Sequence, residues 1–255
     1  MQYLMPFGLL SPASQVAIAA RRHMHLYGTK STDLAEVAVA FRRHANTNPN
    51  AMMYGRPMTI EDHQKSRMIA DPLRMFDCCL ETDGAVAVLV ASPERAKNLK
   101  QKRVFIMAVE EGTGSWCEAM APYQRDNIAL VDEQFYIAEH LWKEAGIGPK
   151  DIDCAQWYDA FSPLVLMQLE AFGFCKIGES GEFVRGQALA IDGRLPSCTS
   201  GGCLSEAYIH GLNHVVEGVR QIRGTSLCQV PNCKHVLVTA ASNNPSSAMV
   251  LRADY

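Results

Sequence analysis

Residues 152–163, Ile-Asp-Cys-Ala-Gln-Trp-Tyr-Asp-Ala-Phe-Ser-Pro, predict a strand that is followed directly by a helix. The part 152–158 is largely apolar and short, which favours a strand over a helix. Ser162-Pro163 is typical of a helix start, and Gly173 is expected to end that helix. Tyr158 and Asp159 therefore stand at the carboxyl end of a strand, which is where ligands bind in α/β folds.

Strand and helix patterns alternate on both sides of this segment. Strands are predicted at 84–91, 103–109, 235–241 and 247–252. The first is apolar throughout and the second is apolar after Arg103, as strands buried on both faces are. Helical spacing runs from Ile128 to Ala145, and Ser205 is expected to cap a helix of residues 206–223. The alternation predicts an α/β layer architecture.

The first 75 residues do not alternate in this way and predict a helical, loop-rich subdomain. Ser11-Pro12 and Gly28 bound a helix of residues 12–27, and Thr32 is expected to cap a second one that extends to about His44. Thr59 and Asp62 form a capping-box pattern before a third, short helix, which Pro72 is expected to close.

Composition excludes several classes of function. The 255 residues carry 24 Lys and Arg against 27 Asp and Glu, a net charge of −3, so the basic face of a nucleic-acid-binding protein is not expected. No apolar run is long enough to span a membrane. The start of the chain does not have the pattern of a signal peptide. The nine cysteines are odd in number and scattered, which predicts free thiols and a cytoplasmic location.

A glycine-rich segment from Ser200 to Gly211 is the second candidate for a functional site. With Ser205 as the N-cap, Tyr208 falls in the first helical turn, where the helix dipole favours its anion. A tyrosine that only packs a helix start is the alternative, and capping and packing are the alternative for Tyr158-Asp159. His210, His214 and Glu217 have helical metal-ligand spacing but no HExxH pattern, so no metal site is predicted.

Taken together, these segments resemble the thiolase superfamily, and most of all its thiolase-like lipid-transfer-protein branch with the steroid side-chain-cleaving aldolases. The resemblance rests on a series of motifs in order: Arg21–Gly28, Arg42–Ala45 with Asn48-Pro49 and Ala51–Met53, Ile69–Arg74, Asp77–Cys79 with Asp83–Ala85, Tyr158–Phe161, and Ser200–Gly211. It implies two similar halves, each a mixed five-stranded sheet with helices on both faces, and a helical loop subdomain.

On this map residues 1–75 match the loop subdomain, 76–102 the last strand and helix of the first half, and 103–255 the whole second half. Most of the first half has no counterpart in this sequence and would precede Met1. That part contains the nucleophilic cysteine of true thiolases.

The departures from the thiolase pattern define the expected chemistry. True thiolases have Asn-Glu-Ala-Phe where this chain has Tyr158–Phe161, and Gly-His-Pro where it has Ala207-Tyr208-Ile209. Their Cys-x-Gly near the end is also missing. The paired tyrosines are typical of the thiolase-like aldolases, which implies retro-aldol cleavage of a β-hydroxyacyl-CoA, with Tyr158 as base and Tyr208 as acid or the reverse.

The resemblance also implies ligands and partners. Asp159, Gly201, Gly202 and His210 are expected to bind the substrate or its CoA, with no tightly bound cofactor and no metal. A homodimer and a partner of the DUF35 type, with an OB fold and a zinc ribbon, are expected. A degenerate thiolase and a non-catalytic carrier of lipid or acyl-CoA are the alternatives.

Overall fold

The computed structural model describes residues 4–115, 123–240 and 245–254. Its helices and strands follow in chain order: α1 Pro12–Tyr27, α2 Ser31–Ala45, α3 Ile60–Lys65, β1 Met68–Ala70, β2 Leu73–Arg74, α4 Pro93–Ala96, β3 Val104–Gly112, α5 Asp132–Ala145, β4 Cys154–Gln156, α6 Ser162–Ala171, α7 Ser180–Phe183, α8 Gly202–Ser205, α9 Leu212–Arg223, β5 His235–Ala240 and β6 Ser246–Ala253. Short 3₁₀ turns precede α1 and lie at Met75–Asp77 and Pro149–Asp151.

The main sheet is mixed and has the strand order β3-β6-β5-β4. The β3–β6 and β5–β6 pairs are antiparallel, whereas β4 and β5 are parallel. A single parallel bridge from Ala155 to Ser197 lies beyond β4, where the predicted fifth strand would run. The α/β prediction is therefore confirmed, with the fifth strand reduced to that bridge.

Helices cover both faces of this sheet, as alternate residues of β5 indicate. Leu237 packs into the core that contains Leu141 of α5 and Leu169 of α6. Its neighbours Val236 and Val238 belong to the opposite core, with Ile222 of α9. Because successive side chains of a strand point to opposite faces, α5 and α6 cover one face and α9 the other.

Capping residues explain the helices that the sequence predicted well. Ser11 accepts a hydrogen bond from the Ser14 amide at 3.2 Å, and Gly28 ends α1 in the left-handed conformation. Thr59 and Asp62 form the predicted capping box of α3, although Ser66 and not Pro72 closes that helix. The second helix starts at Ser31, so Thr32 is its second residue and not its cap.

Two predicted elements are wrong. Residues 84–91 form no strand and are mostly exposed, with Leu89 93% accessible, because no neighbouring strand pairs with them in the described residues. The predicted helix of 206–223 is shortened to α9, which begins only at Leu212, since His210 and Gly211 adopt left-handed conformations before it. Of the predicted strand 235–241, Ala241 lies outside the described residues.

Three further findings bear on the composition arguments. Within the described ranges, eight cysteines are free thiols, and Cys117 lies outside those ranges. In the same residues, no helix is both long and apolar enough to cross a membrane. The front helices pack on the second half, because Phe41 of α2 and Val165 of α6 share one core.

Candidate active site

A cavity of about 940 Å³ with mostly apolar walls lies between the front subdomain and the sheet domain. Its lining comes from the start of α1, the segment after β2, the β4–α6 loop and the α8–α9 loop. Tyr158, Tyr208 and His210 line this cavity, together with Arg42 of α2. A second cavity of about 1020 Å³ is formed by residues 173–194 and contains neither tyrosine.

The two predicted catalytic tyrosines meet in this cavity. The hydroxyl oxygens of Tyr158 and Tyr208 are 2.8 Å apart, and either hydroxyl can be the donor. Their ring centroids are 6.4 Å apart with the planes tilted by 54°. One hydrogen bond thus joins two side chains that lie 50 positions apart in the sequence.

Tyr158 is anchored through its backbone. Its amide donates to Thr239 Oγ1 of β5 at 2.8 Å, and its carbonyl accepts from Gln168 Nε2 of α6 at 2.9 Å. Thr239 Oγ1 in turn donates to Gln168 Oε1 at 2.6 Å. This closed set of buried hydrogen bonds fixes the position from which the ring enters the cavity.

Asp159 points away from the cavity and organises the glycine-rich loop. Its fully buried carboxylate accepts the amides of Cys203 at 2.8 Å and Leu204 at 3.1 Å, and lies 3.0 Å from His214 Nε2. A Cβ on Gly202 would overlap this carboxylate, and Gly202 has a φ of +61°. Gly202 therefore permits a contact that another residue would block.

Tyr208 lies in the loop that separates α8 from α9, and not in a helical turn. The prediction that a helix dipole favours its anion is therefore wrong, because α9 begins at Leu212 with Gly211 as its cap. The Tyr208 amide donates to Thr82 Oγ1 at 3.1 Å. Its hydroxyl also lies 3.2 Å from His210 Nδ1.

Burial sets the protonation of both phenols. Removal from water raises the pKa of Tyr158 far above its ordinary value, and its hydrogen bond to Tyr208 raises it further. Burial also raises the pKa of Tyr208, whereas the hydrogen bond from Tyr158 lowers it. Both groups are therefore neutral at physiological pH.

The other predicted ligand-binding residues take different positions. His210 lines the cavity, while Asp159, Gly201 and Gly202 are buried in the loop behind it. Gly201 is packed against Ala45 of α2. Binding of substrate or CoA by these residues stays a prediction.

The arrangement of His210 and His214 excludes a metal site shared by that pair with Glu217. His210 is exposed, His214 is buried beside Asp159, and Glu217 accepts hydrogen bonds from Thr199 and Ser226. The buried trio Asp159, Cys203 and His214 has ligand atoms within 4.8 Å of one another. Burial, reinforced by the Asp159 charge, raises the pKa of Cys203, and the Asp159 carboxylate in this trio already accepts two backbone amides.

Three supporting residues were missed by the sequence analysis: Gln168, Thr239 and Arg42. Gln168 could have been found, since it is a polar residue inside an α6 sequence that is otherwise nearly all apolar. Arg42 is buried, donates to Ser205 Oγ at 3.0 Å, and its guanidinium lies over the Phe76 ring. It brings positive charge to the cavity wall.

The chain is similar to several known proteins. Residues 114–251 match the family described as thiolase C-terminal domain-like. The chain is 50% identical over 246 residues to a 17-hydroxy-3-oxo-4-pregnene-20-carboxyl-CoA lyase of Mycobacterium tuberculosis, covering 96% of this chain and 64% of that protein. It is 47% identical over 252 residues to a steroid side-chain-cleaving aldolase of Thermomonospora curvata, covering 99% and 64%.

A solved structure named Ltp2-ChsH2(DUF35) aldolase has the same fold. It superposes with a TM-score of 0.97 at 47% identity, covering 99% of this chain and 66% of that one. The chain thus spans slightly less than two thirds of the length of each of these relatives.

Proposed function

The chain belongs to the thiolase C-terminal domain-like family, and on that premise we propose that it catalyses retro-aldol cleavage of a β-hydroxyacyl-CoA to a ketone and a shorter acyl-CoA. The proposed substrate carries the side chain of a steroid or a similar compound, as the names of the two relatives indicate for those proteins. The volume and apolar lining of the cavity fit a bulky apolar group.

One observation carries the proposal: two phenols that share a 2.8 Å hydrogen bond inside this cavity. Retro-aldol cleavage needs one group that removes the hydroxyl proton and one that protonates Cα of the resulting thioester enolate. Two hydroxyls in contact can do both, because a proton taken up by one can return through the other.

The surroundings of the phenols favour Tyr208 as the group that accepts the hydroxyl proton. Its hydroxyl contacts two polar groups, the Tyr158 hydroxyl and His210 Nδ1, so its anion can be supported from two sides. Tyr158 remains the neutral phenol that donates to Cα. This is the reverse of the order first favoured from the sequence, which left both open.

Replacing either tyrosine by phenylalanine removes one proton carrier and keeps the ring. We expect Tyr158→Phe and Tyr208→Phe each to lower turnover by about 10²–10⁴, the value of one positioned proton transfer. Ketone release from a β-hydroxyacyl-CoA is the measurement. Tyr136→Phe on the exposed side of α5 is the matched control and should retain full turnover.

The outcomes separate three functions. Near-normal ketone release by both variants contradicts the acid–base assignment. Thiolysis by added CoA would indicate a degenerate thiolase. The apolar cavity also fits a carrier, in which case acyl-CoA binds to wild type and to both variants while no ketone forms from any of them.

The division of the chain is part of the same proposal. Residues 1–75 form the lid over the cavity, 76–102 belong to the end of a preceding half, and 103–255 form the catalytic second half. The exposed apolar run 84–91 supports this division, because such a run is typical of a strand whose neighbours lie elsewhere.

Partners and location follow from the same family pattern. We propose a DUF35-type partner with an OB fold and zinc ribbon, since the similar solved structure carries that name, and a homodimer of the thiolase type. The substrate is a CoA thioester and no tightly bound cofactor is required. The free thiols support a reducing compartment such as the cytoplasm.

A further inference from the structure

His210 extends the pair of phenols to a chain of three groups. Its Nδ1 lies 3.2 Å from the Tyr208 hydroxyl, which lies 2.8 Å from the Tyr158 hydroxyl. The imidazole ring packs against the Tyr208 ring with centroids 4.7 Å apart. The phenols are partly buried, whereas His210 is exposed at the mouth of the same cavity.

Resting on the retro-aldol function, we propose that His210 holds the substrate's hydroxyl proton between carbon–carbon cleavage and protonation of the enolate. It acts through Tyr208 and is a positioning residue that relays the proton. Nothing in the function proposed above requires a third titrating group.

The backbone at His210 gives independent support. His210 adopts a φ of +48°, in the left-handed region that few residues other than glycine populate. Gly211 follows at φ +82°. This conformation costs free energy and brings Nδ1 to the Tyr208 hydroxyl only two residues back.

The environment of the phenols provides a role for such a group. In the resting site both are protonated, since burial raises the pKa of each. Tyr208 can accept the hydroxyl proton only if its own proton leaves. The imidazole of His210, 3.2 Å from the Tyr208 hydroxyl, is a group within reach that can take this proton up.

The proton balance closes within the chain. The substrate hydroxyl gives its proton to Tyr208 as the Tyr208 proton passes to His210 Nδ1. The Cα–Cβ electron pair becomes the enolate, and the hydroxyl oxygen becomes the ketone oxygen. Tyr158 then gives its proton to Cα and recovers one from Tyr208, which recovers its own from His210. No outside acid, base or oxidant is consumed.

A concerted route is the competing mechanism. In that route Tyr208 takes the hydroxyl proton and at the same time gives its own proton to Tyr158, which gives its proton to Cα. His210 is then never protonated. The two routes differ in their dependence on pH. Only the relay fails when the His210 imidazole is already protonated, so only the relay loses turnover once the pH is low enough to protonate His210 in the resting site.

Other charged and titratable groups share the cavity and bear on that pH dependence. Besides the two tyrosines, they are Arg42 of α2 and the residues Cys78, Cys79 and Glu81 of the segment after β2. Burial raises the pKa of Cys78 and Cys79, to about 12 and about 11, so neither thiol titrates near neutral pH. Glu81 is exposed at the rim.

His210→Asn tests the relay directly. Asparagine tolerates the left-handed backbone and offers a side-chain oxygen as hydrogen-bond acceptor for Tyr208, but it cannot take up a proton. We expect kcat to fall about 10²-fold with KM changed less than about twofold, and the acidic limb of the kcat profile to disappear. His25→Asn, on the exposed face of α1, is the control and should retain kcat.

Chemical rescue provides the second arm. His210→Gly keeps the backbone conformation and leaves an opening at an exposed position. Added imidazole is therefore expected to raise the turnover of this variant at least about tenfold. Added imidazole should not restore Tyr208→Phe. If His210→Asn turns over like wild type with the same pH profile, the relay is wrong and the concerted route stands, whereas a wild type that forms no ketone contradicts the function itself.

A third readout does not depend on activity. Nitrogen NMR of protein labelled at histidine reports the tautomer of each imidazole. The proposed relay requires His210 Nδ1 to accept from the Tyr208 hydroxyl, so it predicts the tautomer with the proton on Nε2. Tyr208→Phe should remove this preference, and an unchanged His210 tautomer in that variant would overturn the proposed contact.

Discussion

The Asp159 carboxylate shows how one buried residue fixes the backbone of a distant loop. It accepts two amides, from Cys203 and Leu204, and faces His214. These contacts hold the start of α8, and through the loop after it they fix where Tyr208 enters the cavity. The site therefore depends on a group that does not line the cavity.

Asp159→Asn removes one acceptor and presents an amide nitrogen to backbone donors. We expect the free energy of unfolding to fall by about 1–3 kcal/mol, the cost of a buried donor without a partner, as measured by urea denaturation. Asp192→Asn is the same change at an exposed carboxylate and should cost less than about 0.5 kcal/mol. Equal stability of the two variants would contradict this role of Asp159.

At the level of residues, sequence patterns identified the two tyrosines but not what holds them. The tyrosines stand at positions that the family resemblance assigns, so their placement in one cavity could be predicted, while their chemical role stays a prediction. The contacts of Tyr158 with Thr239 and Gln168 join β5 and α6 to the β4–α6 loop. Such pairs have no local signature, because they depend on how distant elements pack.

At the level of elements, α2 packs its His44 against the carbonyl of Cys198, just before the glycine-rich loop. Nδ1 and that oxygen are 3.3 Å apart, and Nε2 is buried without a hydrogen-bond partner. Burial lowers the pKa of His44 to about 4. The folded protein thus prefers the neutral imidazole, whereas the unfolded chain binds a proton near pH 6.5.

Stability should consequently depend on pH through His44. The unfolded state binds more protons below pH 6.5, so stability is lost as pH falls from about 6.5 towards 4, by up to roughly 3 kcal/mol. His44→Asn keeps a donor for Cys198 without the titration and should flatten that part of the unfolding free energy, measured between pH 7 and 4. His25→Asn on an exposed face should leave the profile unchanged, and an identical profile in both variants would contradict the assignment.

Elements with complete caps were predictable, whereas elements defined by distant partners were not. α1 has Ser11, Pro12 and Gly28, which bound it locally. Ser205 is an equally good cap by residue type, yet α9 begins only after Gly211, because Asp159 and the left-handed residues shape the loop between them. The predicted strand 84–91 failed for a related reason, since a strand needs neighbours to pair with.

At the level of the whole molecule, the sheet domain and the front subdomain share one core, while the segment 84–91 has none. Leu89 and Val90 are 93% and 71% exposed, although their sequence is that of a buried strand. The same chain spans 64% of the two curated relatives. A contiguous exposed apolar run marks a surface for interaction, and the proposed preceding half would cover it.

The chain by itself should therefore bind an apolar dye through this segment. Leu89→Lys is expected to lower dye fluorescence and the associated fraction in gel filtration while changing the free energy of unfolding by less than about 0.5 kcal/mol, since the side chain touches little. Leu237→Ala, in the buried strand β5, should cost about 2–5 kcal/mol and calibrates a core position. A Leu89→Lys protein that unfolds as easily as Leu237→Ala would mean that the segment is packed in the isolated chain. Unchanged dye binding would mean that another surface carries the apolar patch.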